Sequence, residues 1–303
     1  MNVVRALSAS ILTAIAISCT NSTPHVVPSS PTNSVSSSST PRASGLTACP
    51  ATKRFSSLPV LARGLGAPDD LLAVPVGTLW VSDPVHGTLR HLSNDGRILQ
   101  TIHDPDAPEG LVMLDDGRLI VAEQRRNRLV AFRPPDPIRT TIFTLPAAGA
   151  GLGVDGIAYD ATRARILIPD SPHGTLLAWP ISGGPATELA RKLGRAVGAA
   201  VGPDGAIYIT AEAAAGFIRI GSSSHPEPLG GIVQADDVVS AGRLLYVTLI
   251  GSGEVVAVDP STGSHRVLID HIGAAQGLAV LTNGMLAIAD SNEGKIAVAD
   301  GCG

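Results

Sequence analysis

Several side chains in this chain recur at intervals suited to gathering oxygen ligands around a hard cation. Asp69, Glu109, Asp155, Asp236 and Gln276 stand at matching points of six aligned segments: Pro68-Asp69-Asp70, Pro108-Glu109-Gly110, Val154-Asp155-Gly156, Ala196-Val197-Gly198, Ala235-Asp236-Asp237 and Ala275-Gln276-Gly277. Calcium and similar ions prefer several converging carboxylate and carbonyl oxygens, which such a series can supply. Val197 interrupts it with a side chain that has no oxygen. The alternative is structural: the same acids cap strand amides and hydrate a channel. His86 and His173 also occupy matching places, in Val85-His86-Gly87-Thr88-Leu89 and Pro172-His173-Gly174-Thr175-Leu176. An imidazole there can move a proton if a partner within hydrogen-bond reach orients it; otherwise it is a solvated loop residue. Asp83, Glu123, Asp170 and Asp290 read as acceptors for backbone N–H groups of a neighbouring loop, and Arg125 and Arg126 as a solvated tip. No nucleophile elbow, phosphate loop, haem motif or zinc-spaced Cys/His cluster is present.

The elements that must position these residues follow from the spacing. The middle residues of the six segments are separated by 40, 46, 42, 39 and 40 positions, which marks a repeat. Each unit begins with a short apolar run, such as 111–114, 157–159 or 278–281. A turn follows, then a second run rich in aliphatic and β-branched residues. Asp116-Gly117, Asp204-Gly205 and Asn283-Gly284 are turn pairs that accept positive φ. Third and fourth runs complete the unit, and four antiparallel strands per unit make a propeller blade. The expected fold is therefore all-β, a six-bladed β-propeller. The sixth unit stops after its third strand, so residues 55–62, upstream of the first repeat, are expected to supply the missing strand and close the ring. In this fold the loops entering the inner strands emerge on the same face as those joining second to third strands. Asp69, Glu109, Asp155, Asp236 and Gln276 then ring the channel mouth, with His86, Arg125, Arg126, His173, Asn292 and Glu293 around them.

Pro108-Glu109-Gly110-Leu111 together with Asp116-Gly117-Arg118-Leu119-Ile120-Val121-Ala122-Glu123 resembles the NHL-repeat and senescence-marker-protein/gluconolactonase (regucalcin-like) six-bladed propellers, over residues 68–300. The resemblance implies one divalent cation at the mouth, calcium being the candidate, held by a Glu of the first blade with Asn and Asp from others. Such an ion polarises a lactone or phosphoester oxygen. The matching positions here are Asp69 or Asp70, Glu109, Asp155 and Asp236, with acids where the family has Asn and Val197 where a ligand is expected. Residues 202–210 also resemble a streptogramin B lyase blade, and Leu245-Tyr246-Val247-Thr248 a surface-layer propeller repeat. These motifs are shared by enzymes and binding scaffolds, so they speak to fold rather than activity.

The ends of the chain concern location. A formal charge of -4 and pI near 6.0 exclude the basic footprint of a nucleic-acid binder. Arg5 precedes an apolar run from Ile11 to Ile17, too short to span a bilayer, so residues 1–18 read as a signal peptide. Ala16-Ile17-Ser18-Cys19 resembles the bacterial lipobox, which implies lipid on Cys19; an ordinary secretory signal with an incidental Cys is the alternative. In residues 20–48, 18 of 29 are Ser, Thr or Pro, too few apolar groups to fold, so residues 19–48 read as a tether and 49–303 as the propeller. Cys49 and Cys302 remain, at the two ends of the propeller, and an exported pair suggests a disulfide in place of the missing turn, with two unpaired thiols as the alternative. The expected product is exported and lipid-anchored to the bacterial cell membrane. It binds a ligand or protein of the envelope and no nucleic acid; the alternative is a divalent-metal-dependent, lactonase-like hydrolase.

Overall fold

The alternating aliphatic runs pair into six antiparallel sheets, seen in a computed structural model that describes residues 45–149, 153–212, 216–222 and 225–302. Blade one comprises Leu71–Ala73, Leu79–Asp83, Thr88–Leu92 and Ile98–His103; blade two, Pro108–Met113, Leu119–Glu123, Arg128–Phe132 and Thr140–Thr144. Blade three comprises Ala158–Asp160, Arg165–Asp170, Thr175–Pro180 and Thr187–Arg191; blade four, Ala196–Val201, Ile207–Ala211, Phe217–Ile220 and Pro226–Pro228. Blade five holds Ala235–Ala241, Leu244–Leu249, Glu254–Val258 and His265–Asp270. In blade six Ala275–Val280, Met285–Asp290 and Lys295–Asp300 are joined by Val60–Arg63 from the other end of the chain. The architecture is the expected six-bladed propeller, closed by an N-terminal strand.

The hairpins joining inner to second strands use the turn residues the sequence offers. Gly117, Gly205 and Gly284 adopt φ of 82°, 75° and 82°. The residue before each accepts a hydrogen bond two positions on, Asp116 from Arg118 N–H, Asp204 from Ala206 N–H and Asn283 from Met285 N–H. Second strands are buried along their whole length, as Leu79–Asp83 and Leu119–Glu123 illustrate. With so few aromatics, the spaces between blades are filled mainly by Val, Leu, Ile and Ala, in six clusters, one at each blade interface. Trp80 is an exception, stacked on His91 at 4.5 Å and set edge-on to Phe132 of the next blade at 6.1 Å.

The closing segment differs in detail from the expected strand 55–62. Only Val60–Arg63 pairs with blade six. Phe55–Ser57 is a 3-10 turn that buries the Phe55 ring in the cluster between blades five and six, and Lys53–Arg54 runs parallel to Ile269 and Asp270 at the outer edge of blade five. The chain thus laces two blades. Pro59 explains part of the break, because it holds Leu58 extended and removes an N–H that a longer strand would use. Cys49 and Cys302 form the expected disulfide. Gly45–Ala48, within the stretch read as tether, forms a further 3-10 turn, with Leu46 against the same cluster. Residues 1–18, Cys19 and most of the tether lie outside the described residues.

Candidate functional site at the channel mouth

The mouth residues sit where the inner strands are irregular. In blades two, four, five and six the ladder between inner and second strand slips at this point: between Pro108 and Leu111, Ala196 and Gly198, Ala235 and Val238, Ala275 and Leu278. A bulge leaves residues unpaired and re-aims their side chains, here Glu109, Val197, Asp236 and Gln276. Close approach of neighbouring inner strands restricts the next position. A Cβ on Gly277 would lie 2.2 Å from the Asp69 carbonyl oxygen, and one on Gly110 2.5 Å from Ile157 N. The two exceptions carry acids at this position. Asp237 accepts the Leu278 N–H of blade six at 2.7 Å, and Asp70 accepts from Leu111 of blade two.

These acids are held in unfavourable surroundings for charge. Burial, then repulsion from Asp155 and other mouth acids, pushes the Asp69 carboxyl well above the ordinary range. Burial followed by Asp237 raises Asp70, and burial followed by Asp69 raises Glu109 and Asp236. Asp237 is pushed up to about 6 by burial, while N–H groups of Leu278 and Val238 hold it down. Asp155 is pushed up to about 7 by burial, opposed by Arg195, whose guanidinium lies 2.9 Å away and also bonds Glu212. Gln276 donates to Asp69 at 3.5 Å, and Glu109 is only 5% exposed. Sequence reasoning missed Arg195 and Glu212. The available signal was a basic residue two positions before the one apolar ring position, Val197.

Each predicted histidine finds its own acid. His86 Nδ1 lies 2.9 Å from Asp83 Oδ2, and His173 Nδ1 2.9 Å from Asp170. Both acids are buried and both imidazoles are about half exposed. Asp83 also accepts from Ala67 and His86 N–H groups and from Arg90; Asp290 accepts from Gly273, Ala274, Asn292 and Glu293 N–H groups. Asp83 and Asp290 therefore stitch loops as their repeated position suggests, whereas the Glu123 side chain pairs with Arg128 and that of Asp170 with His173. Among the described residues neither histidine contacts a ring carboxylate.

Sequence reasoning also missed a second acidic group. Asp104, Asp106 and Glu123 have oxygens within 4.8 Å of one another, a spacing compatible with a divalent cation, and they are the only three acids so placed among the described residues. Arg126, Arg128 and Arg139 already bond them. Of the mouth acids, Glu109 borders a cavity of about 1040 Å³ whose lining also includes Val85, Arg125, Arg126, Leu145 and Ala148.

No family model and no curated protein matches the chain. Solved structures do. A putative gluconolactonase is 16% identical with a TM-score of 0.67, over 83% of this chain and 96% of that one. A gluconolactonase from Xanthomonas campestris is 17% identical with a TM-score of 0.66, over 79% and 87%. A streptogramin B lyase is 12% identical with a TM-score of 0.59, over 80% and 94%. The fold is the six-bladed propeller that the gluconolactonase structures share. At these identities the likeness extends to the fold alone. Within this ring, Asp69 and Asp155 precede inner strands, Glu109 and Asp236 stand near the start of inner strands, and His86 and His173 follow second strands.

Proposed function

We propose that this protein is a ligand-binding propeller displayed at the bacterial cell envelope, exported by residues 1–18 and lipid-anchored at Cys19, with its channel mouth selecting a positively charged group. The observation that carries this reading is the imbalance at the mouth. Asp69, Asp70, Glu109, Asp155, Glu212, Asp236 and Asp237 form one mutually repelling group, Arg195 is the cation bonded to Asp155 and Glu212, and a cavity opens beside Glu109. Intact-mass measurement of membrane-extracted protein tests the anchor: a mature chain without diacylglyceryl mass would sink it.

A metal-dependent lactonase is the second reading, favoured by the gluconolactonase neighbours and the oriented histidines. By donor chemistry the hard oxygens of Asp69, Glu109, Asp155 and Asp236 suit calcium, although no three of them come within 4.8 Å of one another. Bound there, the ion supplies a Lewis acid toward an ester carbonyl. Asp83 fixes His86 through Nδ1, leaving Nε2 to take a proton from water; Asp170 does the same for His173. A panel of lactones and phosphoesters, assayed after chelation with and without added calcium, separates the readings. Turnover lost in His86→Ala or His173→Ala supports the enzyme, and no turnover supports the binding module.

A further inference from the structure

The cavity beside the mouth has both an acid and two bases in its lining, which narrows the class of ligand. Glu109 lines it at 5% exposure, with no hydrogen-bond or ion-pair partner among the described residues. A buried carboxylate without a partner is costly, so a donor arriving from the cavity relieves a real penalty. Burial and the nearby Asp69, Asp155 and Asp70 carboxyls add to that penalty and favour a donor that is positively charged.

The same lining carries two cations. Arg125 and Arg126 project from the loop after Leu119–Glu123 and are exposed. Each is anchored by one side of its guanidinium, Arg125 to the Pro105 carbonyl and Arg126 through Nε to Asp106 at 3.1 Å. That anchoring holds them in place and leaves further N–H groups for an oxyanion, which a planar guanidinium recognises well. The rest of the lining is largely apolar, with Val85, Leu145, Ala147 and Ala148 beside the polar Gln124, Asn127 and Thr144. Asn127 steadies this wall, donating to the Pro146 carbonyl at 2.6 Å and accepting the Val154 N–H at 2.8 Å.

We propose that this cavity binds a zwitterion with an apolar body, a short apolar peptide or amino-acid derivative, with its ammonium against Glu109 and its carboxylate against Arg125 and Arg126. The volume of about 1040 Å³ is at the upper end of the range for small-ligand pockets and admits a body of several residues. This inference rests on the reading of the mouth face as a binding site and adds the order of charges along it.

The test is calorimetric titration of the full propeller with trialanine, N-acetyl-trialanine and trialanine amide, without added divalent ions. Trialanine should bind, and acetylation or amidation should each weaken it by about tenfold or more, the loss expected for one charge-assisted hydrogen bond. Glu109→Gln should abolish the distinction between free and acetylated peptide and keep that between free and amidated. Arg125→Ala/Arg126→Ala should do the reverse. Equal binding of all three peptides, or discrimination that persists in both variants, would overturn the charge order while leaving a binding site in place. Failure of all three to bind at millimolar concentration would overturn the proposal itself, whatever the lactone panel reports.

Discussion

Two groups of acids in this molecule have opposite surroundings. Around Glu123 every acid meets an arginine: Arg128 reaches Glu123 at 2.5 Å and Asp106 at 3.1 Å, Arg126 reaches Asp106 at 3.1 Å, and Arg139 reaches the fully buried Asp104 at 2.5 Å. Around Glu109, among the described residues, only Arg195 answers a larger set. Strand register accounts for part of the difference. Glu123 and Arg128 are direct cross-strand partners in blade two, so pairing one strand to the next delivers the cation. Mouth acids sit in bulges, as Glu109 and Asp236 do, or ahead of the inner strand, as Asp69 and Asp155 do, where no register partner lies opposite. Burial raises Asp104 and Glu123 as well, but there the arginines pull them back, whereas at most of the mouth neighbouring acids push further. Acid groups alike in composition therefore act as a staple where cations are built in and as an open electrostatic demand where they are not.

The largest effect should come from unpairing the staple. Arg139→Met leaves Asp104 buried and without its cation, and should cost about 3–5 kcal/mol in urea unfolding. A loss below about 1 kcal/mol would place the Asp104 group in the same class as the mouth. Ring closure comes next: Cys49→Ser should remove about 2–5 kcal/mol if the range for small secreted domains holds. It should also weaken ligand effects at the mouth, which draws acids from several blades, more than it disturbs the staple between blades one and two.

Titration sharpens the contrast further. A carboxyl whose pKa is higher in the folded than in the unfolded chain binds its proton more tightly when folded, so its contribution to stability declines as pH rises between the two values. For Asp155 that window runs from 3.8 to about 7. Stability should fall across it, and less steeply in Asp155→Asn; a wild-type profile that rises throughout would contradict the unpaired mouth. Calcium should act by mass action, because it binds only the folded arrangement. At millimolar concentration we expect a stabilisation of about 1 kcal/mol, read as a rise in melting temperature that Asp155→Ala or Glu109→Ala abolishes. Superimposed melting curves in chelator and in calcium would remove the metal site. The smallest effect is expected from Asp236→Asn, which should be neutral or stabilising by about 0.5–1 kcal/mol at pH 8, because it relieves repulsion and breaks no ion pair. Destabilisation there would mean that the ring acids are structural caps.

Much of this was legible in the chain because the information was local and repeated. The spacing of the segments from Asp69 to Gln276 marked six blades, the Asp-Gly and Asn-Gly pairs marked their turns, and the short sixth unit with Cys49 and Cys302 marked the closure. Phe55 and Lys53–Arg54 were harder to place, since a 3-10 turn that buries one ring and a two-residue parallel pairing leave no periodic trace. The histidines were visible as a matched pair, but a carboxylate three residues back becomes a partner only when the turn brings it within 2.9 Å.

The sequence by itself determined the blade count, the turn chemistry, the ring positions and the cysteines available to close the seam, because each depends on residues adjacent or regularly spaced along the chain. Tertiary structure decided which acids are neutralised. Arg195 meets Asp155 across 40 positions and Arg139 meets Asp104 across 35. Coulomb energy depends on distance and burial in the folded ring, and neither is written in the order of the residues.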